Sequence, residues 1–174
     1  MTDSGETGER RERRRAAVVV ASDGVVAGTR TDTSGPLAVE MLTGLGFSCD
    51  EPAVVSDEAE EISAEIVALA SAGVSLIVTT GGTGFGPRDV TPEATRAVID
   101  REAPGMAGAI RAGSPAKFAA LTRGIAGLRG RTLILNLPGS RGGVRDGIGA
   151  VSDALVHAVE LASGVSDSHP KAAE

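Results

Sequence analysis

The chain has 174 residues, a formal net charge of −6, and 41% hydrophobic but only 2% aromatic residues. This length suits one well-buried core of aliphatic side chains, and the negative charge and scarcity of aromatic rings argue against nucleic-acid binding. No stretch is long and apolar enough to span a bilayer or to act as a secretory signal, so we expect a cytoplasmic protein with no membrane partner.

The two ends of the chain differ from its middle. Residues 1–14 mix Gly, Glu and Arg with almost no apolar side chains, which predicts a disordered tail; a nucleic-acid-binding arm is the alternative. Residues 164–174 lack periodicity and are predicted to form a flexible tail. Residues 15–163 are therefore predicted to form a single domain.

Strands and helices alternate along this domain. The predicted strands are 16–21, 49–55, 75–80, 123–128 and 131–137, and the last two flank Arg129-Gly130, which is typical of a hairpin. Helices are predicted from Pro36 to about Gly44, from Ser56 or Asp57 to Gly73, from Thr91 onwards, in one or two pieces within 104–122, and from a start within 141–144. The last helix directs Ile148, Val151, Leu155, Val159 and Leu161 toward the core. This pattern predicts an α/β fold, namely a three-layer α/β/α sandwich with a mostly parallel sheet and one antiparallel edge strand.

Polar residues follow four of the predicted strands. These segments are Ser22-Asp23-Gly24, Ser56-Asp57-Glu58, the loop beginning at Gly81, and Asn136 to Ser140. Ligands of open α/β sheets bind beyond the carboxyl ends of the strands. We therefore expect the four segments to share one rim and to form the binding site.

The segment 81–93, GGTGFGPRDVTPE, is the most informative of the four. Four glycines follow an apolar strand, so that the backbone can turn sharply and bring its N–H groups close to an anionic ligand. Thr91 is predicted to cap the next helix, and Pro92 to occupy its first position. Gly81 and Gly86 have the separation of the P-loop glycines, but Pro87-Arg88 replaces the Lys-Ser/Thr pair of that motif. The dinucleotide-binding GxGxxG spacing is absent as well.

Residues 80–84 and 88–94 resemble the signature of the MogA/MoaB-type molybdenum cofactor biosynthesis domain, which also occurs in gephyrin. Further similar segments follow the family's order: 19–23, 32–36, 55–58, 101–105, 121–123 and 135–140. Three positions depart from the pattern, because Ser56 stands where a proline is usual, Thr122 replaces a serine, and Gly86 replaces a larger residue. The resemblance covers about residues 15–163.

The resemblance implies a molybdopterin adenylyltransferase that uses ATP and Mg²⁺. It also implies a homotrimer, with a hexamer as the alternative, and handover of the product to a molybdate-inserting protein. Two other functions stay open: a molybdopterin-binding paralogue or scaffold without catalysis, and a CinA-like nucleotide pyrophosphatase.

Asp57 and Asp89 are the predicted catalytic and metal-binding pair. On spacing alone, each is equally well explained otherwise, Asp57 as a helix cap and Asp89 as a partner of a helix dipole. The predicted substrate-binding residues are Ser22, Asp23, Thr80, Gly81, Gly82, Thr83, Gly84, Arg88, Asn136, Pro138, Gly139 and Ser140.

Five further basic residues are candidates for phosphate contacts: Arg111, Lys117, Arg123, Arg141 and Arg145. For Arg123, as for Arg88, a salt bridge to a neighbouring loop is the alternative. Asn136 is either a hydrogen-bonding partner of a pterin or adenine edge or the residue that closes the strand-end turn.

Overall fold

A seven-stranded mixed sheet forms the centre of the protein, in a computed structural model that describes residues 14–164. The strand order is β2-β1-β4-β7-β6-β5, and β3 also pairs with β1. Strands β1, β2, β3, β4 and β7 are parallel, whereas β6 runs antiparallel to both β7 and β5. The strands are β1 (Arg15–Ala21), β2 (Ser48–Cys49), β3 (Ala53–Val55), β4 (Leu76–Thr80), β5 (Arg101–Glu102), β6 (Ala126–Arg129) and β7 (Thr132–Leu137).

Seven helices lie in the described part of the chain. They are α1 (Asp23–Val26), α2 (Ser34–Gly44), α3 (Ala59–Ser71), α4 (Thr91–Arg96), α5 (Pro104–Gly113), α6 (Ala116–Ala119) and α7 (Arg141–Ser163). Helices α2, α5 and α7 contribute to one hydrophobic core, and α3 and α4 contribute to a second. None of the described helices is both long and apolar enough to cross a membrane.

Alternate residues of the central strands supply the two cores. In β1, Val18 and Val20 belong to the core beneath α2, α5 and α7, whereas Val19 belongs to the other. Strand β7 repeats the pattern, with Leu135 in the first core and Ile134 in the second. Successive side chains of a strand point to opposite faces, so apolar runs of this kind require helices on both sides of the sheet. The predicted three-layer, mostly parallel α/β fold is confirmed.

The structure differs from the predicted elements in five places. The predicted strand 49–55 is divided into β2 and β3, because Pro52 cannot donate a ladder hydrogen bond. The polar loop after β1 contains the short helix α1. The turn of the hairpin is Gly130-Arg131, not the predicted Arg129-Gly130. Strand β5, which was not predicted, pairs with β6 on the side away from β7. Leu161 is 37% exposed, because two residues beyond Val159 its side chain has turned about 200° around the helix.

The predicted tails fall almost wholly on residues 1–13 and 165–174, which lie outside the described residues. Of the residues predicted to belong to the tails, the structure describes Arg14, which forms an ion pair with Glu160 of α7, and Gly164, which caps the same helix in the left-handed conformation.

Substitution of Gly81 tests the packing at the end of β4. Gly81 has a φ of +92°, and a methyl group there would lie 2.4 Å from the carbonyl oxygen of Ala21. Gly73 is a matched control with a φ of +79° and no atom within 4 Å of the same position. We expect Gly73→Ala to lower the free energy of unfolding by about 1 kcal/mol and Gly81→Ala by about 3 kcal/mol or more, measured by urea denaturation. Equal losses in the two variants would contradict this account.

Candidate active site at the carboxyl ends of the parallel strands

A cavity of about 710 Å³ lies at the carboxyl ends of β1, β4 and β7. All four predicted polar segments contribute to its lining. The predicted site residues that line it are Ser22, Asp57, Thr80, Gly81, Gly82, Thr83, Gly84, Asp89, Pro138, Gly139 and Ser140. Asp23, Arg88 and Asn136 are not among the lining residues.

The loop from Gly81 to Val90, called here the glycine loop, presents its backbone to this cavity. Gly81 and Gly82 both have positive φ values, +92° and +61°, which favour glycine. Within residues 14–164, the N–H groups of Gly82, Thr83 and Gly84 donate no hydrogen bond, whereas the N–H of Gly81 donates to the carbonyl of Leu137. The loop therefore offers several unpaired donors at the surface of the cavity, as an anion-binding backbone requires.

Asp57 lies beside the first glycines of this loop, and Asp89 lies near the end of the loop. A methyl group at Gly82 would be 3.4 Å from Oδ1 of Asp57, and one at Gly84 would be 2.9 Å from Oδ2 of Asp89. Oδ2 of Asp57 accepts the N–H of Asp23 at 2.9 Å, and Oδ2 of Asp89 accepts the N–H of Gly86 at 2.7 Å. In each carboxylate the other oxygen accepts no hydrogen bond from residues 14–164.

The alternative explanation of Asp57 as a helix cap is wrong. The N-cap of α3 is Glu58, and it forms no side-chain capping hydrogen bond. The N-cap of α4 is Val90, so the predicted cap at Thr91 is wrong as well. Thr91 is buried instead, and a methyl group at Gly82 would lie 2.4 Å from its Oγ1. Asp89 makes its hydrogen bond with the glycine loop, not with the helix that follows it.

Asp23 and Asp57 hold each other through reciprocal hydrogen bonds. Oδ1 of Asp23 accepts the N–H of Asp57 at 2.9 Å, which mirrors the bond from the N–H of Asp23 to Asp57. Arg88 donates to Oδ2 of Asp23 at 2.7 Å and to Glu58 at 2.6 Å. The N–H of Asp57 and then the Arg88 guanidinium lower the pKa of Asp23. The carboxylates of Glu58 and then of Asp23 raise the pKa of Arg88. Asp23 and Arg88 thus join the ends of β1 and β3 to the glycine loop beside the cavity.

Arg123 holds the glycine loop both near its start and near its end. Its guanidinium donates to the carbonyl oxygens of Gly84, at 2.7 Å, and Asp89, and forms an ion pair with Glu93. Its backbone N–H donates to the carbonyl of Thr83 at 2.8 Å. Arg123 also lowers the pKa of Glu93. This arrangement matches the loop-binding alternative for Arg123, not the phosphate contact.

Asn136 is part of the protein interior and does not reach the cavity. It is 2% exposed, its amide group donates to the hydroxyls of Thr79 and Thr95 at 2.9 Å each, and its Oδ1 accepts the N–H of Ile125 at 3.2 Å. Because both N–H bonds and the carbonyl are engaged, Asn136 has no side-chain donor left for a substrate. The predicted substrate contact is corrected to a structural role that joins β4, β7 and α4.

The other basic candidates do not line the cavity. Arg111 donates to the carbonyl of Gly124 and Arg141 to that of Thr33, while the Lys117 amine lies 5.7 Å from the centre of the Phe118 ring. None of these three, nor Arg145, is among the cavity-lining residues. The cavity includes several residues that the sequence analysis did not select: Arg30, Asp32, Ser34, Phe118, Leu121 and Asp146. Asp32, Ser34 and Leu121 lie in two of the segments that carry the family resemblance, 32–36 and 121–123, whereas Arg30, Phe118 and Asp146 lie outside those segments.

The described residues contain no group of three or more His, Cys, Asp or Glu side chains that could hold a metal ion. Asp57 and Asp89 remain as two carboxylates that line one cavity. Mg²⁺ is commonly bound by one or two carboxylates together with water and substrate phosphates. The residues present therefore fit a magnesium ion that arrives with a phosphorylated substrate.

Comparison with known proteins points to one family. Residues 17–157 match the model of a probable molybdopterin binding domain. The chain is 38% identical to gephyrin from Dictyostelium discoideum, and the match covers 95% of this chain and 24% of gephyrin. It is 36% identical to the molybdopterin adenylyltransferase of Helicobacter pylori, and that match covers 84% of this chain and 86% of the relative. The molybdopterin biosynthesis enzyme MoaB of Thermus thermophilus has a similar structure, with a TM-score of 0.82, 45% identity, and coverage of 86% of this chain and 96% of MoaB. The chain spans only about a quarter to a half of the length of the first curated relatives.

Substitution of Arg88 tests the link between this arginine and Asp23. In Arg88→Gln we expect the pKa of Asp23 to rise toward its ordinary value and to stay below it, because the N–H of Asp57 is the larger cause of the lowering. The stabilisation from this pair is present above the ordinary pKa and is lost as the pH falls through the lowered one. Carbon-13 NMR titration of the carboxyl group measures the shift.

Arg96→Gln is the matched control, since Arg96 forms an exposed ion pair with Glu102 away from the cavity. An unchanged pKa of Asp23 in Arg88→Gln, or an equal rise in both variants, would contradict the assignment.

Proposed function

The chain belongs to the MogA/MoaB-type family of molybdenum cofactor biosynthesis proteins, and we propose that it is a molybdopterin adenylyltransferase. In this reaction an oxygen of the terminal phosphate of molybdopterin bonds to the α-phosphorus of ATP, and the bond to the β-phosphate breaks to release pyrophosphate. The observation that carries the proposal is the glycine loop, which offers unpaired N–H groups between two carboxylates in a single cavity.

The backbone of the glycine loop supplies the anion-binding part of the site. The N–H groups of Gly82, Thr83 and Gly84 are free to donate to phosphate oxygens. Because the loop is fixed at both ends, by Arg88 and by Arg123, these donors require little rearrangement when the substrates bind. Fixed donors of this kind stabilise negative charge that develops in a transition state.

Asp57 and Asp89 supply the carboxylates that would hold Mg²⁺. Each has one oxygen fixed by a backbone N–H, which orients the carboxylate, and one oxygen left for a ligand. A bound Mg²⁺ supplies positive charge that offsets the charge of the phosphates. The two substrates repel each other, so alignment by the cavity is the protein's main contribution to the rate.

We also propose that the enzyme acts in the cytoplasm as a homotrimer and passes the adenylylated product to a molybdate-inserting protein. The support for this part is the family membership, and sedimentation of the purified protein tests the trimer.

The direct test is an assay of the purified protein with molybdopterin and Mg-ATP that detects both pyrophosphate and adenylyl-molybdopterin. The proposal predicts both products, and removal of divalent cations with a chelator should abolish them. Binding of molybdopterin without pyrophosphate release would indicate a carrier. Hydrolysis of ATP without adenylyl-molybdopterin would indicate a pyrophosphatase.

Carboxylate-to-amide variants test the two assigned residues. Asp57→Asn and Asp89→Asn retain a hydrogen-bond acceptor for the N–H groups that these side chains bind, so both variants should fold. We expect each to lower the rate of pyrophosphate release by about 100-fold or more, because the charge that faces the metal is lost.

Asp153→Asn is the matched control, since Asp153 is exposed on α7 and is not among the lining residues. Turnover within about twofold of wild type in Asp57→Asn and Asp89→Asn would remove both residues from the catalytic role.

A further inference from the structure

The charge of the cavity is unbalanced. Among its lining residues are four aspartates, and Arg30 is the only basic side chain that the described part of the chain contributes to it. The substrates of the proposed reaction are phosphorylated and carry several negative charges. A cavity of this composition repels them unless a positive group is present to receive them.

The two arginines that hold the glycine loop are already engaged. Arg88 binds Asp23 and Glu58, and Arg123 binds Gly84, Asp89 and Glu93. Arg30 differs from both, because its guanidinium forms no hydrogen bond or ion pair with any residue between 14 and 164. Four carboxylates line the same cavity, and none of them has drawn Arg30 into an ion pair.

The backbone of Arg30 is nevertheless fixed in place. The carbonyl oxygen of Gly24 accepts hydrogen bonds from the N–H of Thr29, the hydroxyl of Thr29 and the N–H of Arg30, at 2.9, 3.1 and 2.9 Å. A methyl group at Gly24 would lie 3.2 Å from the Cβ atom of Arg30, so the two backbones are in close contact. The loop thus anchors the main chain of Arg30 beside α1 and leaves the guanidinium free.

We propose that Arg30 binds a phosphate group of the substrate in this cavity. The inference rests on the proposed function and adds to it the residue that receives the anion. A guanidinium donates two parallel hydrogen bonds to a phosphate, which a lysine cannot reproduce. Arg30 is here a binding residue, and it takes no part in proton transfer or metal binding.

The test uses inorganic triphosphate with Mg²⁺ as the probe, titrated calorimetrically into the full-length protein. We expect Arg30→Gln to raise the Kd about tenfold, as the loss of a charge-assisted hydrogen bond at an exposed side chain predicts, and Arg30→Lys to recover part of the affinity. The Kd of Arg30→Gln should also depend less steeply on salt concentration, since one ionic contact has gone. Because the backbone of Arg30 makes the anchoring bonds, both variants should keep the wild-type melting temperature.

Arg101→Gln is the matched control. It removes the same charge from an exposed residue in β5, at the far edge of the sheet, and should leave the Kd unchanged. A wild-type Kd in Arg30→Gln, or equal weakening in Arg30→Gln and Arg101→Gln, would overturn the proposal. So would the absence of any triphosphate binding to the wild-type protein.

The experiments distinguish a failure of the Arg30 proposal from a failure of the proposed function. Arg30-dependent triphosphate binding in a protein that forms no adenylyl-molybdopterin would support the role of Arg30 and refute the transferase activity. Normal turnover and normal triphosphate affinity in Arg30→Gln would support the transferase and refute the role of Arg30.

Discussion

The close approach of three backbones at the ends of β1, β4 and β7 is the constraint on which the site depends. Gly81 packs against the carbonyl of Ala21, and a methyl group at Gly139 would lie 3.0 Å from the Cα atom of Gly81. No side chain fits between these segments, so the chain can leave β4 only through glycine. The N–H groups of Gly82, Thr83 and Gly84, which follow this turn, donate no hydrogen bond within residues 14–164. The proposed anion-binding backbone is therefore a consequence of how three strand ends meet.

Polar side chains beneath the loop hold these strand ends in register. Asn136 joins Thr79 of β4 to Thr95 of α4, while the Ser34 hydroxyl at the start of α2 bonds to Thr80 at 3.0 Å. A buried polar group without a partner costs about 1–3 kcal/mol, so each of these bonds restricts the alternatives available to the core. Arg123 then fixes the loop from outside. Rigid support from both sides keeps the donors in place before a ligand arrives.

The sequence was sufficient for the fold and for the meeting of the four polar segments at one cavity, and insufficient for the contacts of several residues around it. Alternating apolar patterns determine which face of each strand is buried, so the layers and the shared rim could be predicted. Asn136 and Arg88 could not be assigned, because a polar residue at a strand end can face a ligand or a protein neighbour, and only the packing of distant elements decides which. Arg30 was missed for the same reason: its position follows from hydrogen bonds to Gly24 that no periodicity reveals.

The distribution of charge connects these observations to the order in which ligands can bind. At a separation of 4 Å and an effective dielectric constant of about 20, two like charges repel by about 4 kcal/mol. Asp57 and Asp89 therefore oppose a bare polyphosphate that approaches the glycine loop, and the N–H donors of the loop must work against that repulsion. If Asp57 and Asp89 hold a divalent cation as proposed, a polyphosphate already bound to that cation meets the same carboxylates as ligands. Under that proposal the aspartates repel the free anion and accept its metal-bound form, so we expect the cavity to favour the metal-bound form of its substrate.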